Sequence, residues 1–170
     1  PDSAFPNIEH SFQTAEGIRA AGYPEWMQLI GLVHDVGKMM FKYGRPEDGH
    51  EGTATGCQWA LGGDTWVVGC KLPDGACFPE YNELNPDMQD PRYNTEMGIY
   101  KAGQGMATLN YAFGHDEYAY QVVKHHRDTL AAKGHPKEDL LPDEGLAMLR
   151  YHSCYPWHNK GDYDRFMAPG

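Results

Sequence analysis

The dipeptide His34-Asp35, in the segment WMQLIGLVHDVGKMM, constrains this chain more than any other feature. An imidazole and a carboxylate side by side on a helix can both reach one cation, and the carboxylate can also bridge to a second. First-row metals accept this mixture of nitrogen and oxygen donors. Further histidines fall on apolar faces of predicted helices, at His10, His115 and His152. Four helices that each offer a ligand to one interior point predict a site with two metals.

Composition indicates a globular domain and argues against two classes of partner. With 170 residues, 41% of them hydrophobic, the chain can bury a core and is interpreted as one domain, 1–170. Its net charge of −10 predicts no binding to nucleic acid or to an anionic membrane, because both would repel it. No apolar run has the length of a membrane span, and the opening residues, PDSAFPNIEH, do not resemble a signal peptide.

The cysteines indicate a reducing compartment. Cys57, Cys70, Cys77 and Cys154 show neither C-x-x-C spacing nor the pattern of a secreted disulfide framework. We therefore predict free thiols and a cytoplasmic protein.

Four segments are predicted as helices, at about 11–21, from about 24, at 107–126 and at 144–155. His10 lies at the entrance of the first helix, and Gly22 is its predicted stop. Pro24 suits the first turn of the second helix, and Pro156 is predicted to end the fourth. The second helix has an apolar stripe at helical spacing, made by Trp26, Leu29, Ile30, Val33 and Gly37.

Helical periodicity is lost from Tyr43 to Gly105, where Gly and Pro are frequent. Only the segment DTWVVGC favours a strand or one arm of a short β-hairpin. A long stretch without regular structure is usually functional or partly disordered. We therefore predict a mostly α fold, a helical bundle around a dinuclear metal site. A long irregular insertion would lie over the mouth of that site.

Each candidate ligand also has a simpler explanation. A single histidine on an apolar helix face is more often a hydrogen-bonded core residue than a ligand. The four positions together favour a metal, because burying so many titratable groups without a cation is costly. The other histidines are interpreted as ordinary side chains: His50, His125, His126, His135 and His158.

Three charged residues near the candidate ligands are ambiguous. Asp116 and Glu117 could bind a metal, but they turn away from the face of His115, and we expect them to pair with a nearby Arg or Lys. Lys38 lies one turn after His34. It is either an ordinary solvated charge or a group that holds an oxyanion or hydroxyl of a substrate, and the residues alone favour neither role.

Six segments carry a resemblance to a known family. In order along almost the whole chain they are HSFQTAEGIR, GLVHDVGK, GGDTWVVGC, NPDMQDPRYNTEMGIY, GHDEYAYQV and RYHSCYPWH. His10 followed by His34-Asp35 is similar to the opening of the HD-domain superfamily pattern. HDVGK alone is not specific, whereas the six segments together resemble the myo-inositol oxygenases.

The resemblance implies an HD-domain-like helical bundle that holds two irons in a mixed-valent Fe(II)/Fe(III) state. The first iron would be bound by His10 and His34, and the second by His115 and His152. Asp35 would bridge the two irons. The implied substrate contacts are Lys38, Gly63, Asp64 and Ser153. Lys38 would also act in catalysis, by stabilising an alkoxide electrostatically.

The implied reaction converts myo-inositol and dioxygen to D-glucuronate by cleavage of a ring C–C bond. We expect the protein to be a monomer. The family pattern includes one more aspartate, a terminal ligand of the first iron, which we expect beyond Gly170. Further substrate contacts are expected ahead of Pro1 and after the last residue. We therefore expect the chain to be a fragment that lacks both ends. Asp162 and Asp164 follow His152 too closely to be confident substitutes for the absent ligand.

Two other functions stay open. An HD-family metal-dependent phosphohydrolase would use the same first ligands to activate water against a phosphate, although it should carry more basic residues around its site than this acidic chain offers. A metal-stabilised module without catalytic activity is the remaining hypothesis, and it rests on the absent ligand.

Overall fold

The computed structural model describes residues 6–43 and 63–169, which belong to two compact units. The first unit contains 6–43, Gly63 and 113–152, and the second contains 64–112 and 153–169. Helices dominate the described residues, so the predicted mostly α fold is confirmed. His50, Cys57 and the part of the predicted insertion from 44 to 62 lie outside the described residues.

The first unit begins with two helices, α1 (Asn7–Ala20) and α2 (Glu25–Val33). Helix α1 begins earlier than predicted because the carbonyl of Pro6 accepts the N–H of Glu9 at 2.9 Å and that of His10 at 3.3 Å. His10 therefore lies inside the first turn. At the other end Gly22 has a φ of 78°, and its N–H bonds to the carbonyl of Arg19. Gly22 ends the helix as predicted.

Helix α2 stops at Val33, so that His34 and Asp35 follow its last turn. A 3-10 helix, Val36–Met39, and a short helix, α3 (Met40–Tyr43), come next. The predicted apolar stripe is right for Ile30, which is buried, and wrong for Leu29, which is 53% exposed. The buried side of α2 differs from the predicted stripe because α1 packs against α2 at Gly31. A Cβ on Gly31 would come within 2.6 Å of the Ile18 side chain.

The second pair of helices in this unit is α4 (His115–Ala132) and α5 (Asp143–Tyr151). The prediction that α4 begins at residue 107 is wrong, because Ala112 bonds to Trp66 and Gly114 is extended. Helix α4 also continues to Ala132, so His125 and His126 lie exposed within the helix and not at its end. These corrections put His115 at the first residue of α4.

The predicted end of the fourth helix needs a correction too. Helix α5 ends at Tyr151, and Pro156 does not terminate it. Pro156 instead occupies the first turn of a separate short helix in the second unit, α6 (Tyr155–His158), a position that tolerates the missing N–H of proline.

The core of the first unit joins α2, α4 and α5. Ile30, Ala119 and Leu149 are its buried centre. Partly buried side chains pack around them, namely Trp26, Val33, Val123, Leu141 and Met148. This packing fixes the ends of the helices at which the candidate ligands lie.

The second unit consists of short 3-10 helices, α6 and irregular segments. The 3-10 helices are Pro79–Leu84, Pro86–Gln89, Met106–Thr108 and Asp164–Phe166. The predicted β-hairpin is wrong in the described residues, where Val67 forms an isolated antiparallel bridge with Tyr111. Its partner lies far along the sequence, and the backbone of Val68 bonds to Asn110 beside it.

Two further features concern the compartment and the membrane. In the described residues, Cys70, Cys77 and Cys154 form no disulfide with one another. No helix in the described parts of the chain combines the length and the apolar character that crossing a bilayer requires.

Candidate metal centre

Four histidines and one aspartate of the first unit converge on a single region. Their potential ligand atoms form two groups that share Asp35, and within each group the atoms lie within 4.8 Å of one another. We call the first group, His10, His34 and Asp35, site A, and the second group, Asp35, His115 and His152, site B. All five residues were singled out from the sequence as ligands, and the structure brings all five together.

The two sites are built in the same way. In site A one histidine is in the first turn of α1 and the other directly follows α2. In site B one histidine begins α4 and the other directly follows α5. The Nε2 atoms of His10 and His34 are 3.2 Å apart, and those of His115 and His152 are 3.0 Å apart. Each pair of helices thus brings its two imidazoles together at the start of one helix and the end of the next.

Backbone carbonyls orient two of the imidazoles. His34 Nδ1 lies 2.7 Å from the carbonyl of Gly31, and His152 Nδ1 lies 2.9 Å from the carbonyl of Leu149. A carbonyl oxygen only accepts, so in both rings Nδ1 donates and the neutral ring keeps a lone pair on Nε2. Burial lowers the pKa of His34, more than its bond to Gly31 raises it, and so favours that neutral ring.

The carboxylate of Asp35 divides its two oxygens between the sites. Oδ2 is 3.8 Å from Nε2 of His10 and 3.6 Å from Nε2 of His34. Oδ1 is 3.4 Å from Nε2 of His115 and 3.6 Å from Nε2 of His152. This is the arrangement that a bridging carboxylate requires.

Asp35 is held in its ionised form. Burial would raise the pKa of its carboxyl, but its interactions with the nearby side chains of His115, His152 and Lys38 outweigh that effect, and the pKa lies far below its usual range. A buried carboxylate that stays charged attracts cations into the space that the imidazoles surround.

The donor set fits a transition metal in each site. Two adjacent ligands that each lie about 2.1 Å from one ion are about 3 Å apart in octahedral geometry, which matches the separation of the Nε2 atoms in both pairs. Imidazole nitrogen and carboxylate oxygen suit several first-row metals, so this donor set does not select one of them. The residues therefore could hold two metals bridged by Asp35.

The sites differ in exposure and in support. The side chain of His10 is 49% exposed, whereas that of His115 is 3% exposed. The buried Nδ1 of His115 has no hydrogen-bond partner in the described part of the chain. The histidine at the start of the first helix of each pair is thus far more exposed in site A than in site B.

Lys38 lies at the edge of site A. Its Nζ is 2.7 Å from Asp35 Oδ2, and its side chain is 22% exposed. Of the two roles considered for Lys38, an ordinary solvated charge does not match this partly buried ion pair. Whether Lys38 also contacts a substrate stays a prediction.

The other predicted substrate contacts are divided between the units. Gly63 is an exposed residue of the first unit. In the second unit, Asp64 accepts the backbone N–H of Cys77 at 3.0 Å, and the carbonyl of the buried Ser153 accepts the N–H of Thr65 at 3.0 Å. Their joint contact with a substrate stays a prediction.

Glu117, one of the two acidic residues after His115, has a partner of the predicted kind. Glu117 forms an ion pair with Arg150, with 2.6 Å between Arg150 Nε and Glu117 Oε2. Asp116 is buried, and its carboxylate accepts the N–H of Glu117 at 2.9 Å. The sequence did not single out Arg150, although its position two residues before His152 was a signal. The described histidines that were interpreted as ordinary are exposed, as that interpretation requires: His125, His126, His135 and His158.

The comparisons agree with the geometry. The family described as Myo-inositol oxygenase matches residues 1–170. The inositol oxygenase of Danio rerio is 45% identical over 166 residues, which are 96% of this chain and 51% of that protein. The inositol oxygenase of Homo sapiens is 42% identical over 171 residues, 99% of this chain and 52% of that protein. That of Dictyostelium discoideum is 40% identical over 167 residues, with coverages of 96% and 50%. The chain thus spans about half the length of the curated relatives it matches.

Proposed function

Because the chain belongs to the myo-inositol oxygenase family, we propose that the protein is an inositol oxygenase that converts myo-inositol and dioxygen to D-glucuronate. One ring C–C bond is cleaved, one oxygen atom enters the new carboxylate, and the other leaves as water. Dioxygen accepts the four electrons that the ring gives up, so the reaction needs no other oxidant.

The observation that carries this proposal is the division of the Asp35 oxygens. One oxygen faces the imidazoles of site A and the other those of site B. A carboxylate that served a single metal, or that merely balanced a buried charge, would not need a pair of histidines on each side. We propose iron in both sites, in a mixed-valent Fe(II)/Fe(III) pair. When bound, this pair supplies the Lewis acidity and the redox chemistry that an unactivated polyol and dioxygen require.

Five residues of this chain are proposed to hold the two irons. His10 and His34 are proposed as ligands of the first iron, His115 and His152 of the second, and Asp35 as the bridge. The carbonyls of Gly31 and Leu149 keep two of the rings oriented, so that the donor nitrogens face inward before a metal arrives.

Lys38 is proposed to stabilise the substrate. Its ammonium group is fixed by Asp35 at the edge of the site. A positive charge held there can donate a hydrogen bond to a hydroxyl oxygen of the ring and favour deprotonation of that hydroxyl to an alkoxide. Gly63, Asp64 and Ser153 are proposed as the other contacts to the hydroxyl groups, because short polar side chains and exposed backbone can bind a polyol from several directions.

The location, the partners and the domain organisation are proposed as well. Free thiols support a cytoplasmic location, and the net charge of −10 speaks against nucleic acid and anionic membrane as partners. We also propose that residues 1–170 act as one catalytic domain and that the enzyme is a monomer.

A single assay series tests the function against its alternatives. The protein is loaded with Fe(II) without oxygen, partly oxidised, and given myo-inositol and dioxygen. D-glucuronate formed in a 1:1 ratio with the oxygen consumed supports the proposal. Release of phosphate from phosphoesters, without oxygen consumption, would instead make it a metal-dependent phosphohydrolase. Iron uptake with neither product would make it a non-catalytic metal-binding module.

A further inference from the structure

A largely buried ion pair joins the two helix ends that carry the imidazoles of site B. Glu117 lies two residues after His115 in the first turn of α4, and Arg150 lies two residues before His152 in the last turn of α5. Arg150 Nε donates to Glu117 Oε2 at 2.6 Å, and Arg150 Nη2 donates to Oε1 at 3.4 Å. The two side chains are 13% and 10% exposed. The ion pair is therefore a second, separate link between the same two turns.

Neighbouring side chains hold both charges in place. Gln121 donates to Glu117 Oε1 at 2.7 Å. The guanidinium of Arg150 lies over the ring of Tyr120 at 4.7 Å and near the ring of Tyr151 at 5.6 Å. A planar guanidinium that is paired on its edge and stacked on its face has little freedom to turn.

In the described part of the chain, site A has no ion pair at the matching positions. The matching positions in α1 and α2, two residues after His10 and two before His34, are Phe12 and Leu32. Neither side chain can carry a charge, although the two sites are otherwise built alike. The ion pair is therefore an addition specific to site B, and it can be tested with site A as an internal reference.

We propose that the ion pair of Glu117 and Arg150 positions His115 and His152 for the metal of site B. To bind one metal ion, the two imidazoles of site B must keep their Nε2 atoms at about the observed separation of 3.0 Å. Residues two apart on a helix point in very different directions, so the ion pair joins the helices away from the metal and leaves the imidazoles free to bind it. This inference rests on the proposed dinuclear centre.

The test is a titration with Co(II), whose bound form is followed by its visible absorption. We expect the wild type, titrated as the full-length protein, to take up two equivalents. The variant His152→Ala gives the isotherm of site A alone and so assigns the two binding steps. In Arg150→Met the affinity of site B should fall about 10–100-fold, the usual loss when a group that orients a ligand is removed, while the affinity of site A stays unchanged.

A second variant keeps the test decisive if Arg150→Met does not fold. Glu117→Gln keeps the shape and loses the charge, and it should weaken site B in the same selective way. The double variant should lose no more than the worse single variant, because both changes break one link. The matched control is Arg127→Met, since Arg127 pairs with Asp143 and joins the same two helices at their far ends. It should leave both sites intact.

Three outcomes would overturn the inference or its premise. If the wild type binds fewer than two equivalents of Co(II), the premise of a dinuclear centre is wrong. If the wild type binds two and Glu117→Gln still binds both with unchanged affinity, the ion pair only stabilises the fold. Equal weakening of both sites, together with a lower melting temperature, would likewise show a general structural role.

Discussion

Gly37 lies directly against the backbone of His115. A Cβ placed on Gly37 would come within 1.8 Å of the His115 carbonyl oxygen and within 2.6 Å of its carbonyl carbon. Both atoms belong to the backbone, so neither can turn away as the end of a flexible side chain could. The absence of a side chain at Gly37 therefore allows the turn that carries Asp35 to approach α4 and to place its carboxylate between the two sites.

The first prediction concerns this approach. In Gly37→Ala the turn and α4 must separate, so we expect a loss of ~1–3 kcal/mol of unfolding free energy, as for an overpacked core. The affinity of site B should fall more than that of site A, because Asp35 moves away from His115. Urea unfolding and Co(II) titration measure the two effects. Gly17→Ala is the control, since a Cβ there meets nothing within 4 Å.

The second prediction concerns the bridge. Asp35→Ala should lose both metals, because it removes a ligand from each site, whereas His152→Ala should mainly empty site B. Metal content per chain after loading and desalting, by elemental analysis, distinguishes the two patterns. Asp90→Ala removes a partly exposed carboxylate that pairs with Arg92, and it should leave the metal content unchanged. Near-normal metal content in Asp35→Ala would show that this residue is not the bridge.

The third prediction separates metal binding from catalysis. Lys38→Ala should keep both metals and lower turnover of myo-inositol by about a hundredfold or more, as when one preorganised donor is removed. Lys124→Ala is the matched control, because Lys124 forms an exposed ion pair with Asp128. The measurements are metal content and the rate of D-glucuronate formation. An unchanged rate in Lys38→Ala would restrict its role to its ion pair with Asp35.

The fourth prediction tests the core that carries the ligands. Leu149 is fully buried, and its carbonyl accepts from His152. Leu149→Ala should cost ~2–5 kcal/mol of unfolding free energy, the usual range for a large side chain removed from a core. Leu29→Ala, at an exposed position on α2, should stay within about 0.5 kcal/mol of the wild type. Equal losses in the two variants in a denaturant titration would contradict the packing described.

The sequence predicted the residues of the site better than the elements that carry them. His34 and Asp35 were recognisable because an imidazole beside a carboxylate, repeated with histidines on other helices, has few explanations other than a metal. The stop of α2 at Val33 was not predictable, because the apolar spacing continues to Gly37 without a proline or an exposed glycine to end it.

Long-range pairing accounts for the other errors. Residues 107–112 have helical spacing, yet Tyr111 pairs with Val67 in the second unit and Ala112 bonds to Trp66. The side of α2 that faces the core depends on where α1 packs, which no local pattern contains. The ion pair of Glu117 and Arg150 likewise needed the antiparallel contact of α4 and α5 before its partners could be matched.

The shared construction of the two sites has a consequence for how the chain folds. The two histidines of each site belong to one pair of consecutive helices and are separated by 24 residues in site A and by 37 in site B. Because these sequence separations are short, each histidine pair can form early and independently of the other. The contact of Asp35 with His115 closes a much longer loop and should form last. A metal that binds both halves would then stabilise a contact made after the folding transition state. We expect it to slow unfolding strongly and to leave the rate of folding almost unchanged.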